Sequence, residues 1–98
     1  MTKISLKNEA SALALAWRSK IVGQAAGANV KVVRMDGSSY PNEVHTFVEA
    51  LLVLEGQMKL EIEGKIVSVE ASEIFIVPAG IPHAVAPGSH GTLVIIDQ

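Results

Sequence analysis

A chain of 98 residues has room for one domain with a modest core, and at 49% hydrophobic and 18% charged it is leaner in charge than a typical soluble domain. The formal net charge of −2 leaves no basic excess to neutralise phosphates or anionic lipid, so nucleic-acid and membrane-surface partners are not expected. The absence of cysteine removes disulfides, thiolate metal sites and cysteine nucleophiles together, so any metal must be held by histidine and carboxylate.

Residues 1–28 read as a short N-terminal arm and residues 29–98 as the body of a single domain. Within the arm, acidic Glu9 directly precedes a short apolar patch at residues 10–17. That is a poor signal peptide, and no apolar run is long enough to span a membrane, so the cytoplasm is the expected compartment. The patch predicts a short helix over residues 11–17, and residues 21–24 predict a strand.

From Asn29 onward, β-branched residues fall in short runs separated by Gly, Pro or Ser, the pattern of an all-β sandwich or barrel. The run at residues 50–54 (Ala-Leu-Leu-Val-Leu) does not alternate, so both of its faces must be covered. The covering candidates are Leu13, Leu15 and Trp17 of the arm, or a second subunit. The low charge and this double-sided run together predict a homodimer. Residues 58–63 alternate strictly, with Met58, Leu60 and Ile62 on one face. Glu63-Gly64-Lys65 then turns the chain. Further strands are expected at residues 66–69, at 74–77 before Pro78, and at 92–96 after the turn at 87–91.

Glu43 and His45 are two apart, so an extended backbone puts both side chains on one face, as a chelating pair requires. Glu49 comes after a loop, and His83 lies beside a later strand. Imidazole nitrogen and carboxylate oxygen are good ligands for iron, manganese, zinc or nickel. Spacing alone leaves a second reading open, in which the histidines are hydrogen-bonded core residues. His90, in a Gly/Ser/Pro turn, is expected to be solvent-exposed.

The segment also resembles the cupin superfamily. That family's first motif is glycine, five residues, His-x-His, three or four residues, glutamate, six residues, glycine. Gly37, Glu43, His45, Glu49 and Gly56 fall at every one of those spacings. Its second motif is glycine, five residues, Pro-x-Gly, two residues, histidine, three residues, asparagine. Here Ser72, Pro78, Gly80, His83 and Pro87 hold those places, and the middle three match. Residues 53–56 and 77–83 are also similar to the small single-domain cupins grouped with mannose-6-phosphate isomerase-like proteins.

The resemblance implies an all-β fold, a small jelly-roll barrel (double-stranded β-helix) filled by Leu51, Val53, Met58, Leu60, Ile62, Phe75 and Val85. It also implies a divalent metal ion bound at the positions of Glu43, His45, Glu49 and His83. Glu43 stands where the family has a histidine, which gives two histidines and two carboxylates. Two function classes are then open. One is a metal-dependent enzyme acting on a small polar metabolite such as a sugar or keto acid. The other is a non-catalytic small-ligand module, or a barrel without metal in which Glu43 and Glu49 pair with His45 and His83. Neither motif contains a lysine or arginine to clamp a phosphate, although Lys31 and Arg34 could reach the pocket from the preceding strand.

Overall fold

A computed structural model describes every residue from Met1 to Gln98. In chain order the elements are α1 (Leu6–Ser11), β1 (Lys20–Ala25), β2 (Ala28–Asp36), β3 (Tyr40–Glu43), β4 (Glu49–Ile62), β5 (Lys65–Glu70), β6 (Ile74–Val77), β7 (His83–Val85) and β8 (His90–Asp97). All strand pairs are antiparallel, in the order β1-β2-β8-β4-β7-β3, with β5 and β6 also paired to β4. The sheet curls around one apolar interior, the jelly-roll barrel that the sequence resemblance implies.

The runs at residues 50–54 and 58–63 form one strand, β4, with an irregularity inside it. Its buried positions are odd-numbered at Glu49, Leu51 and Val53, then even-numbered at Met58, Leu60 and Ile62. Because side chains alternate with a period of two, such a phase change demands one extra residue. The register supplies it, shifting between Val53 and Glu55 opposite β8. Just past the bulge Gly56 faces Gly91, with φ of +83° and +105°. A Cβ at Gly56 would collide with the His90 carbonyl, and one at Gly91 with that of Glu55. The two backbones can cross this closely only because both residues are glycine.

Inside the barrel, Val33, Met35, Leu51, Val53, Met58, Leu60, Ile62, Val69, Val77 and Leu93 form the main core, with Phe75 and Val85 packed against it. All seven residues expected to fill the barrel are therefore on its inner side. A smaller cluster lies on the outer face, where Ala10 packs on Val32 and Val94, flanked by Leu6, Leu13 and Leu52.

The helix comes earlier than the apolar patch predicts, at Leu6–Ser11 rather than residues 11–17. Ser5 caps its N-terminus by accepting from the Asn8 N–H, and Glu9 sits in the first turn. Beyond it the backbone bonds elsewhere. Arg34 donates to the carbonyls of Leu13 and Ala14, and the Trp17 N–H donates to the Arg34 carbonyl with Trp17 at φ +67°. Arg34 thus anchors the arm instead of entering the pocket.

Of the three arm residues expected to cover β4, only Leu13 takes part. Leu15 is 56% exposed, and Trp17 packs on the inner core. The Trp17 indole donates to Asp36 Oδ1 (2.7 Å) and Ser38 Oγ (2.8 Å). Hydrogen bonds from the Ser38 hydroxyl, the Ser38 backbone N–H and this indole hold the Asp36 carboxyl at about 2, below its ordinary value.

Candidate metal centre

The strand register brings the candidate ligands together. β3 pairs with β7 so that Glu43 faces His83 directly. β4 begins at Glu49, whose side chain points inward with Leu51 and Val53. His45 lies two residues past β3, in the connection to β4. Its carbonyl accepts from the Gly80 N–H at 2.8 Å, tying the two motif segments together, and Phe47 stacks on its ring at a centroid distance of 4.9 Å. Ser72, in place of the motif glycine, adopts φ +71°, so that position is one of backbone shape.

One ligand atom each from Glu43, His45 and His83 lie within 4.8 Å of one another. Glu49 is not one of that trio, but it touches both imidazoles: Oε1 is 3.2 Å from His83 Nε2 and Oε2 is 3.6 Å from His45 Nε2. Glu43 Oε2 is 3.3 Å from His45 Nε2. Ligand atoms about 2.1 Å from a shared ion stand roughly 3.0–3.4 Å apart, from octahedral to tetrahedral geometry. The Glu49–His83 and Glu43–His45 spacings fall in that range, and the Glu49–His45 spacing of 3.6 Å is slightly wider.

Hydrogen bonding points the same way. His83 is 5% exposed, and its Nδ1 meets the Ile81 carbonyl at 3.1 Å. A carbonyl only accepts, so Nδ1 carries a proton, and Nε2 is left either to donate to Glu49 from a protonated ring or to offer a lone pair from a neutral one. Nε2 faces a Glu49 oxygen at 3.2 Å, a contact that holds either a proton or a cation between the two atoms. A histidine whose second nitrogen donates to a backbone carbonyl is the usual arrangement for a metal ligand. His45 Nε2 is buried and makes no hydrogen bond, although two carboxylates flank it. The donor set therefore suits a divalent ion. His90 is exposed, with Nδ1 on the Gly88 carbonyl, and takes no part.

These residues open on a cavity of about 180 Å³. Trp17, Tyr40, Phe47, Met58, Leu93 and Ile95 supply much of its wall, with Tyr40 and Phe47 on either side of the Glu43–His45 pair in the sequence. The negative charge of Glu43, together with burial, raises Tyr40 above its ordinary value, so its phenol keeps its proton at neutral pH. Lys31 also lines the cavity, as expected, and is its only lysine or arginine. Asp97 is a lining residue that the motifs do not flag. The signal for it was strand alternation, since Leu93, Ile95 and Asp97 share one face of β8.

Residues 31–97 match the Cupin domain family. A cupin-2 domain protein from Shewanella frigidimarina superposes with a TM-score of 0.85 at 18% identity, covering 95% of this chain and 91% of that one. A protein from Neisseria meningitidis gives 0.84 at 24% identity, covering 98% of each chain. A DMSP lyase from Ruegeria pomeroyi gives 0.71 at 17% identity, covering 91% of this chain and 53% of the lyase. At these identities the likeness is one of fold. No curated protein matches the chain.

Proposed function

The chain belongs to the cupin family, and on that premise we propose that it binds one divalent metal ion through His45, His83, Glu43 and Glu49 and presents it to a small polar molecule in the barrel cavity. The observation that carries this reading is the His83 ring, buried, fixed by Ile81 and turned with its Nε2 toward a carboxylate.

A bound ion would polarise a coordinated carbonyl or hydroxyl as a Lewis acid. Two carboxylate ligands neutralise its charge, so it is a milder Lewis acid than a three-histidine site would hold. Glu49 lies between the two imidazoles and meets His83 Nε2 at 3.2 Å. Lys31, the cavity's one cationic side chain, is already paired with Asp97, so a phosphorylated substrate finds no free clamp. This weighs against mannose-6-phosphate chemistry. Elemental analysis of untagged protein should find close to one divalent ion per chain. Finding none, with no uptake of iron, manganese, nickel or zinc, overturns the reading.

The chain further acts as a homodimer in this proposal. α1 covers the outer face over β2 and β8 but stops short of β6. Leu54, Ile74 and Ile76 are left 37%, 51% and 52% exposed, and Ile74 and Ile76 pair beside Leu52 and Ala50 on that face. A contiguous apolar patch of this kind supports a second copy as its cover. Ile76→Glu should convert a dimer to a monomer in light scattering; a wild-type protein that stays monomeric at high concentration contradicts the dimer.

A further inference from the structure

The cavity has a second polar pole. Lys31 on β2 and Asp97 at the end of β8 both line it, with Lys31 Nζ donating to Asp97 Oδ2 at 2.8 Å. The register explains the pair: Asn29 faces Asp97 and Lys31 faces Ile95, so Lys31 and Asp97 are diagonal neighbours on the inner face. The β4–β8 ladder pairs Ala50 with Ile96. Asp97 and Glu49 are the next residues along these two strands, and both line the cavity.

This ion pair is incomplete. Asp97 is 4% exposed, and its Oδ1 is buried without a hydrogen-bond partner. A buried carboxylate oxygen normally has a donor, and an ammonium bonded once has protons left to give. A hydroxyl satisfies both groups, donating to Oδ1 and accepting from Nζ. A carboxylate there would meet Asp97 as a like charge, and an ammonium would meet Lys31 as one.

Charge and size narrow the ligand further. Lys31 with Asp97 is neutral, and a divalent ion with Glu43 and Glu49 is neutral, so the cavity offers no net charge to an anion. An apolar cavity of about 150 Å³ takes a benzene molecule. The 180 Å³ here is half open, so it seats the enclosed part of a ligand, about six to eight non-hydrogen atoms.

We propose that the cavity binds a neutral polyhydroxy carbonyl compound of three or four carbons. Its carbonyl and α-hydroxyl lie at the metal, and a further hydroxyl sits between Lys31 and Asp97. The placement of the first two groups and the neutral charge of the ligand rest on the metal reading; the hydroxyl subsite does not.

Dihydroxyacetone and hydroxyacetone differ by one hydroxyl and test the subsite by calorimetric titration into manganese-treated wild-type protein. Dihydroxyacetone should bind roughly 10- to 100-fold tighter. The preference should vanish in Lys31→Met/Asp97→Val, which removes both partners and leaves neither charge unpaired. The wild-type comparison decides the matter even if that variant does not fold. Equal affinities, or no binding of either at millimolar concentration, overturn the subsite even where manganese binds. Tighter binding of glycerate, an anion of similar size, overturns the neutral class. A protein that takes up no manganese yet prefers dihydroxyacetone keeps the subsite and overturns the metal reading alone.

Discussion

His83→Ala should abolish the stabilisation that a divalent metal confers on the wild-type protein. A ligand present at about 100 times its Kd stabilises the native state by about 2.7 kcal/mol, which for a domain of this size is a rise in Tm of roughly 10–20 °C. His83 is one of only two imidazoles at the site, and its Nε2 is fixed in direction by the Nδ1 contact to the Ile81 carbonyl. Losing an outer-shell partner of a ligand costs about 10–100-fold in metal affinity, so losing the ligand itself should cost about 100-fold or more. At the concentration that gives the wild type its full shift, the variant should then gain less than about 0.5 kcal/mol. Calorimetry with and without manganese or nickel reads this difference, and the cavity left by the missing ring cancels because both scans contain it. An equal shift in variant and wild type would mean that the ion binds elsewhere.

The largest expected loss of fold stability comes from Gly56→Ala. The added methyl meets the backbone carbonyl of His90, which cannot swing aside as a side chain can, and the residue is held at φ +83°. Left-handed backbone alone costs about 1–2 kcal/mol for a residue with a Cβ. With the collision added, the loss should reach about 3 kcal/mol or more, roughly 12–24 °C in Tm. Gly64→Ala is the control. Its φ is +73°, but no atom lies within 4 Å of the added Cβ, so it should lose only the conformational part. Urea unfolding of the two variants separates the effects. Equal losses would show that the close crossing of Gly56 and Gly91 contributes nothing.

Much of the barrel is legible in the sequence because strand alternation is a local property. Met58, Leu60 and Ile62 announce a face, and the turn at Glu63-Gly64 announces its end. The bulge in β4 is legible too, in the change from odd to even buried positions, but two short runs read separately conceal it. The helix starts five residues before the span that the apolar patch predicts and ends where that span begins, because the patch at residues 10–17 is the more conspicuous signal, whereas the Ser5 cap and the acidic first turn decide where a helix starts. The path of the chain after α1 is set by Arg34 and Trp17, partners more than fifteen residues apart, and no local pattern encodes that.

The candidate site divides in the same way. Glu43, His45, Glu49 and His83 stand out through motif spacing, and the structure brings Glu43, His45 and His83 together with Glu49 between the imidazoles. Asp97 carries no motif. Its significance arises only when β2 and β8 align to set it against Lys31 inside the cavity. Leu15 and Trp17, both read from sequence as covers for β4, separate completely. Trp17 packs its ring on the core while its indole N–H is met by the exposed Asp36 and Ser38, and Leu15 is left in solvent.

Anomalous scattering from a crystal of the protein grown with manganese or nickel, collected at the metal's absorption edge, addresses the shared ion most directly. The account predicts one strong peak per chain, about 2.0–2.3 Å from the Nε2 atoms of His45 and His83 and bonded to at least one of the two glutamates. A barrel without a peak at that position, with a Glu49 oxygen still resting against His83 Nε2, would contradict it.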